Sequence, residues 1–475
     1  MSSDDSADGL RIAIIGAGPA AFYAAEALLS CGQPGLRVDM FDRLPTPFGL
    51  VRHGVAPDHQ KIKTVTKAFA RVAENPRFRF FGGVEYGRDL SLDDIRKHYH
   101  QVLFATGAQT DRRMGIPGED LSGSHPATEF VAWYNGHPDF QGCTFDLSQE
   151  RVAIVGVGNV AVDVARILCL SGEEMEQTDM PRHVIEALAA SRVREVHLLG
   201  RRGPAQAAFT TPELKELGQL AEADLIIRPE EAALDALSRA ELDASGDRML
   251  QRKVEMIGEF AARPPAGKRK QLFLRFLVSP VELVDNGAGA VGGLRLVRNR
   301  LQANEAGALI AEPAGEFEMI QAGLVFRSVG YRGVPLPGVP FHERWGVILN
   351  QGGRVLDEAS GTALRGIYTA GWIKRGPSGV IGTNKPDAVE TVAAMLDDAA
   401  ASWTFEPETV DQQAIPALLC RRAVRYVTFD DWRRIDDAEQ ALGESEGRQR
   451  AKLASVDAML ACLDGGGSGM ASAAG

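Results

Sequence analysis

Arg11-Ile-Ala-Ile-Ile15 runs into Gly16-Ala-Gly18-Pro-Ala-Ala21 and then into an Ala-rich stretch of helical character reaching Leu29. The same pattern opens a second segment, where Arg151-Val-Ala-Ile-Val155 leads to Gly156-Val-Gly158-Asn-Val-Ala161 and a helical stretch to Leu168. Each is a short apolar strand, a glycine turn and a helix, the opening of a dinucleotide-binding βαβ unit. The first glycine permits the tight turn and the second lets backbone approach a pyrophosphate. A small third residue, Ala21 or Ala161, lets helix pack on strand, and the helix N-terminus supplies amide donors to phosphate. One such turn arises readily by chance. Two, each after a β-rich run and before a helix, predict an α/β chain with two dinucleotide sites, one for a flavin and one for a nicotinamide nucleotide.

The residues downstream of each turn differ. After the first, the strand Arg37-Val-Asp-Met-Phe41 ends at Asp42, 26 positions after Gly16, where an acid binds a ribose hydroxyl. Asp39 competes for that role, but mid-strand it points to the same face as Phe41, so Asp42 is preferred. Val102-Leu-Phe-Ala-Thr106-Gly107 reads as a strand ending in Ala-Thr-Gly, a signature of flavoproteins with two dinucleotide sites. After the second turn, Glu195-Val-His-Leu-Leu199 is followed by Gly200-Arg201-Arg202-Gly203. Two guanidiniums replace the carboxylate, chemistry suited to a 2′-phosphate and hence to NADP(H) over NAD(H). The 45 residues from Gly156 to Arg201 exceed the usual spacing of about 20, so an insertion over 171–192 is expected in the crossover. Further on, 272–277 and 294–301 read as strands around a Gly-rich turn at 286–293, and a helix is expected from about Pro386.

Composition bounds the rest. The 475 residues, 45% hydrophobic and 24% charged, suit a soluble chain of two or three domains. The longest stretch free of Asp, Glu, Lys and Arg, residues 12–25, is too short to span a membrane. Asp4, Asp5 and Asp8 without a basic residue are unlike a secretory signal or a mitochondrial presequence, so a cytoplasmic location is expected. A net charge of −11 argues against a nucleic-acid binder. Cys31, Cys143, Cys169, Cys420 and Cys462 form no Cys-x-x-Cys, so no redox dithiol, metal site or cysteine-bound cluster is supported, and they read as buried small hydrophobes. The small, uncharged stretch 465–475 is expected to be disordered.

Several longer blocks carry a resemblance. Pro47-Phe-Gly-Leu-Val-Arg-His-Gly-Val-Ala-Pro-Asp-His59, Gly158-Asn-Val-Ala-Val-Asp163, Gly200-Arg-Arg-Gly-Pro204 with Phe209 and Glu213, and Gly371-Trp-Ile-Lys-Arg-Gly-Pro-Ser-Gly-Val-Ile381 are similar to the signatures of adrenodoxin reductase and the related bacterial ferredoxin–NADP⁺ reductases. Asp431-Trp432 and Gly447-Arg-Gln-Arg450 extend the resemblance to nearly the whole chain. It implies two Rossmann-like domains, an NADP domain (110–335) inserted into a discontinuous FAD domain (1–109 and 336–475). It also implies hydride transfer from NADPH to FAD N5, then single-electron transfers to an iron–sulfur ferredoxin; separately, a monomer is expected.

Carried over, the resemblance gives Gly16, Gly18 and Ala21 to the FAD pyrophosphate and Asp42 to its adenosine ribose, although the family often has the longer Glu there. Gly49, Leu50, Trp372, Gly379, Val380 and Ile381 fall to the flavin ring, joined by Thr106 and Gly107 of the Ala-Thr-Gly strand end. Gly156, Asn159 and Val160 fall to the NADP pyrophosphate, Arg201 and Arg202 to the 2′-phosphate, and Glu213 to the nicotinamide carboxamide region, as a catalytic candidate. Trp372 suits either a core or a flavin edge. His59, the other catalytic candidate, suits either a structural role or relay of the proton that accompanies flavin reduction. Asp163 reads as structural.

Ferredoxins are acidic, so a dock should be locally basic. Residues 248–275 hold eight basic side chains against Glu255 and Glu259, with Arg248, Arg252 and Lys253 as the candidate dock and a solvated face as the alternative. A glutamate-synthase-type flavoprotein subunit would carry cysteine-bound clusters, and thioredoxin- or glutathione-type reductases would carry paired cysteines. A non-catalytic FAD/NADP sensor would hold a flavin that NADPH does not bleach.

Overall fold

The computed structural model describes residues 9–464. The acidic N-terminal residues 1–8, read above as unlike a targeting signal, and the tail 465–475, expected to be disordered, lie outside the described residues. The chain divides into two compact units. Among the described residues, one comprises 9–110, 135–139 and 331–464, and the other 111–134 and 140–330.

In the first unit Arg11–Ile15 is buried at every position and is the middle one of five parallel strands in a seven-stranded sheet. Its order is Asn350–Gln351, Arg354–Leu356, Ala363–Thr369, Gln101–Phe104, Arg11–Ile15, Arg37–Asp42, Phe78–Gly82. The five strands from Ala363–Thr369 onward are parallel. Strand alternation sends Ile12, Ile14, Val38, Met40 and Leu103 to one face, where they pack with helices Pro19–Ser30, Asn384–Ala400 and Phe429–Ser445. Ala13, Ile15, Phe41, Val102 and Phe104 go to the other, against helix Ala414–Arg421. Near-continuous apolar strands are what a parallel sheet covered on both faces requires.

The second unit repeats the plan. Six parallel strands run in the order Ser124–Pro126, Leu324–Arg327, Arg151–Val155, Glu195–Leu199, Lys270–Arg275, Ala223–Ile227. One face, with Val152, Ile154, Val196 and Leu198, packs on helices Asn159–Cys169 and Arg248–Ala261. The other, with Ala153, Val155 and Val325, packs on an antiparallel sheet of Val278–Asp285, Val291–Ala303 and Leu309–Gln321. Two short helices, Gly172–Glu176 and Arg182–Ala189, occupy the insertion expected in the crossover.

Two sequence expectations need correction. The 272–277 run does not pair with 294–301, because Lys270–Arg275 is a central parallel strand and the hairpin partner is Val278–Asp285. Leu277, at φ 57°, makes the break between the two. Only Cys169 is buried among the five cysteines; Cys31 and Cys420 are exposed, and Cys143 and Cys462 are intermediate. No helix among the described residues is long and apolar enough to cross a membrane.

Candidate dinucleotide sites

Both glycine turns stand at the C-terminal end of the central strand of a parallel sheet, between neighbours whose connections run in opposite directions, where such sheets bind ligands. The two turns match bond for bond. Gly16 N–H donates to Phe41 O at 2.7 Å, and Gly156 N–H to Leu199 O at 2.9 Å. Gly16 (φ 103°) and Gly156 (φ 130°) occupy backbone conformations that favour glycine. A Cβ at Gly16 would stand 2.5 Å from Ala105 O, and one at Gly156 would stand 2.2 Å from Ser328 O. By contrast, a Cβ on Gly18 or Gly158 would meet nothing within 4 Å. The first glycine of each turn is thus dictated by the fold, while the second faces open space.

That space adjoins a helix start. Pro19–Ser30 and Asn159–Cys169 begin with no side-chain cap and no acid in the first turn. Their first amides and positive ends therefore remain available to an anion, and a pyrophosphate fits both turns. The carbonyl of the intervening residue is used in both. Ala17 O accepts from Phe48 N at 2.8 Å, and Val157 O accepts from Ala208 N and Phe209 N at 3.0 Å.

The turns diverge at the residue after Phe41 and its counterpart Leu199 on the neighbouring strand. Asp42 in the first unit accepts from Ala17 N at 2.8 Å through Oδ2 and from Leu44 N at 2.9 Å through Oδ1. Burial raises its pKa against the pull of these donors and Arg43. In the same register the second unit has Gly200, followed by Arg201 and Arg202. Arg201 is exposed, and neither arginine is ion-paired to a carboxylate among the described residues. Asp39 is fully engaged, accepting from Arg11 at 3.0 Å, from Arg79 at 2.6 and 2.8 Å and from the Tyr99 hydroxyl at 2.7 Å.

Other candidates gather around the first turn. Phe48 is held at φ 82°, local strain of a kind that recurs at ligand sites, and Gly49 beside it takes φ 48°, which glycine adopts freely. A Cβ on Gly49 would lie 2.9 Å from Gly18 Cα, so Gly49 and Leu50 sit against the pyrophosphate turn. Thr106 follows on the other side, its Cα 3.2 Å from a Cβ on Gly16, with Gly107 next to it. Gly371 approaches from the chain's last third, since its Cβ would meet Ala20 Cβ at 2.6 Å. Asp387 ties this loop to helix Asn384–Ala400, accepting from Gly371 N at 2.5 Å and pairing with Lys374 at 3.0 Å. Trp372 donates through Nε1 to Ser378 O at 3.1 Å, which fixes the loop bearing Gly379 (φ 79°), the exposed Val380 and Ile381. His59 is half-buried at the start of Gln60–Lys63.

In the second unit Asn159 Oδ1 accepts from Thr210 N at 3.0 Å and anchors the start of helix Thr211–Leu217 to the glycine turn. Glu213 lies on that helix, and its Oε2 is buried without a hydrogen-bond partner. An unpartnered buried carboxylate oxygen fits an amide donor from a ligand. Val160 is half-buried beside Asn159, and Asp163 pairs with Arg166 at 2.6 Å.

The proposed basic dock is only partly present. Arg248 and Arg252 are exposed on helix Arg248–Ala261, but Lys253 is buried, with Nζ donating to Ala207 O at 2.5 Å over the Phe209 ring. Lys253 lies three and four residues before Met256 and Ile257, hence on the apolar face. Lys270 and Arg275 are buried as well, so the eight basic residues do not share one surface.

Comparison with known proteins adds independent findings. Residues 10–203 match the pyridine nucleotide-disulphide oxidoreductase family. NADPH-ferredoxin reductase FprA of Mycobacterium tuberculosis is 44% identical over 459 residues, covering 94% of this chain and 98% of its own. The mitochondrial NADPH:adrenodoxin oxidoreductase of Arabidopsis thaliana is 39% identical over 469 residues, covering 97% of this chain and 96% of its own. The solved structure of Mycobacterium tuberculosis FprA in complex with NADPH superposes with a TM-score of 0.89 at 43% identity, covering 96% of this chain and 99% of that one.

Proposed function

The chain belongs to the family of NADPH–ferredoxin and NADPH–adrenodoxin reductases, and from that premise we propose that it is an FAD-dependent ferredoxin–NADP⁺ reductase with FAD at the Gly16 turn and NADP(H) at the Gly156 turn. The observation that carries the placement is the divergence of two otherwise matching turns. A half-buried carboxylate, Asp42, stands where the other unit has Gly200 followed by two guanidiniums with no carboxylate partner among the described residues. A carboxylate repels a 2′-phosphate, and paired arginines attract one.

When bound, FAD supplies the conversion of a two-electron hydride donor into single electrons for an iron–sulfur protein. The chain's own groups bind, orient and shield. Gly16, Gly18 and Ala21 hold one pyrophosphate, and Gly156, Asn159 and Val160 the other. Gly49, Leu50, Thr106, Gly107, Trp372, Gly379, Val380 and Ile381 form the surroundings of the flavin ring, while Arg201 and Arg202 hold the 2′-phosphate. Glu213 accepts from the nicotinamide carboxamide, and His59 moves the proton that accompanies reduction. The dock for an acidic ferredoxin contracts to Arg248 and Arg252, one turn apart on an exposed helix face.

NADPH-driven cytochrome c reduction, with and without a ferredoxin, tests this reading. Flavin absorbance should bleach with NADPH far more readily than with NADH, and cytochrome c turnover should rise with added ferredoxin. A flavin that NADPH leaves unbleached rejects the reading and favours a sensor.

A further inference from the structure

The Gly447–Arg450 block, far in sequence from either glycine turn, ends up against the strained flavin-side segment. Glu439, on helix Phe429–Ser445, is fully buried and accepts from both terminal nitrogens of Arg52, at 2.9 and 2.5 Å. It also accepts from Arg450 at 2.8 Å and from Leu453 N at 2.9 Å. Lys452, itself buried, donates to Arg52 O at 2.8 Å and to Asn135 O at 3.1 Å. The Arg52 guanidinium lies 4.9 Å from the Trp432 ring centre, and Trp432 in turn meets Phe48 edge-on at 5.9 Å. The tail packs closely, for a Cβ on Gly443 would stand 2.4 Å from Arg450 Cα.

Arg52 belongs to Leu50–His53, the short helix that follows Phe48 and Gly49. Phe48, a non-glycine residue, holds a positive φ of 82°, and such a conformation persists only when its surroundings over-determine it. Three contacts do so from the C-terminal segment: the bidentate Arg52–Glu439 pair, the Lys452–Arg52 carbonyl bond, and Trp432 against Phe48. A two-point guanidinium–carboxylate pair fixes orientation as well as distance, which a single hydrogen bond does not.

We propose that Glu439 is a positioning residue for the flavin: through Arg52 it holds the Phe48–Leu50 segment, and so the pocket wall beside the Gly18 turn, in the geometry that binds FAD. The proposal rests on the assignment of FAD to that turn. Replacing Glu439 leaves buried Arg52 without its carboxylate, while Arg450 keeps Asp436 at 2.7 Å, and the segment relaxes away from Gly18.

The test compares E439Q and E439D with the parent chain, and includes G49A as a direct perturbation of the same wall. Apoprotein is titrated with FAD by flavin fluorescence, and NADP⁺ binding is measured on the same preparations. E439Q is expected to weaken FAD binding about tenfold or more, equivalent to ~1.4 kcal/mol, with NADP⁺ affinity within about twofold of the parent. E439D keeps the charge and should recover part of the loss. Where holoprotein is reconstituted at saturating FAD, the visible circular dichroism of the flavin should differ from the parent. If E439Q binds FAD as the parent does while G49A does not, the positioning role is overturned and the FAD assignment stands. If neither variant alters FAD binding, the assignment itself falls. Equal loss of FAD and NADP⁺ binding in both Glu439 variants also overturns the proposal, since it marks general unfolding.

Discussion

At the scale of single residues, the two glycines of each turn have separable duties. Gly16 is required by the fold, through its φ of 103° and the 2.5 Å approach to Ala105 O. Gly18 is not, because its missing Cβ points into open space. G16A should therefore destabilise the apoprotein, by a cost of order 1–3 kcal/mol for the strained backbone before any clash is counted. G18A should leave the thermal unfolding of the apoprotein within about 0.5 kcal/mol of the parent yet abolish stoichiometric FAD binding. Differential scanning calorimetry of apoprotein beside FAD titration separates the two. Equal destabilisation by G16A and G18A would refute this division of labour. Arg201 and Arg202 allow a parallel test of nucleotide choice. Each charge-assisted bond to a 2′-phosphate contributes about 1.5–3 kcal/mol, so the double change R201A/R202A should raise the KM for NADPH at least ~100-fold. Turnover with NADH should stay near its parent value, and a matching loss with NADH would exclude 2′-phosphate recognition.

At the scale of elements, helix Arg248–Ala261 shows how charge and burial part company. Arg248 and Arg252 face solvent, whereas Lys253 caps Ala207 O from within the core. R248E together with R252E should raise the KM for ferredoxin, most at low salt, and leave NADPH–ferricyanide turnover unchanged. K253M should act otherwise, lowering thermal stability by about 1–3 kcal/mol through the orphaned carbonyl, with little effect on the ferredoxin KM. Stopped-flow and steady-state assays across ionic strength distinguish the two, and a ferredoxin KM indifferent to R248E/R252E would remove the dock from this helix. The buried position of Lys253 was available in the sequence from its spacing to Met256 and Ile257, but a count of basic residues ignores helical phase. The glycine turns were readable because strand, turn and helix lie within about 20 consecutive residues, where local rules suffice. The Glu439–Arg52 pair was not, since its partners are 387 positions apart and only the tertiary fold joins them. The hairpin pairing is hidden from the sequence for a related reason. Apolar runs show where strands lie but not which neighbours they take, and Lys270–Arg275 joined the parallel sheet.

At the scale of the whole molecule, burial of neutral histidines in both units fixes the response to acid. His53, His100 and His137 in the first unit and His125, His183 and His197 in the second all have lowered pKa values, with burial as the largest cause in each. For His137, burial together with Arg43 and Arg52 outweighs the attraction of Asp139 and brings the value to about 4. An unfolded histidine binds a proton below ~6.5, while these folded ones refuse it until lower pH. Protons therefore bind the unfolded chain in excess through this window, and folding stability falls as pH drops from about 6.5 toward 4. Each excluded proton contributes a slope approaching 1.4 kcal/mol per pH unit, so several together produce a steep acid limb. The carboxylates held below their ordinary values act later and with the same sign. Burial alone would raise Glu439, but Arg52 and Arg450 hold it below its ordinary value, and Asp94, held by Arg422 despite partial burial, lies at about 2. Their stabilisation is complete above about pH 4.5 and is lost as pH falls through their depressed values. Denaturant unfolding of the apoprotein from pH 7.5 to 3 should then show two stages, a first decline beginning near 6.5 and a second below 4.5. H137Q should lessen the slope of the first stage by one histidine's share, at most ~1.4 kcal/mol per pH unit, without moving the second, and a parent stability that stays level from pH 7 to 5 would show that the histidines titrate freely in the fold.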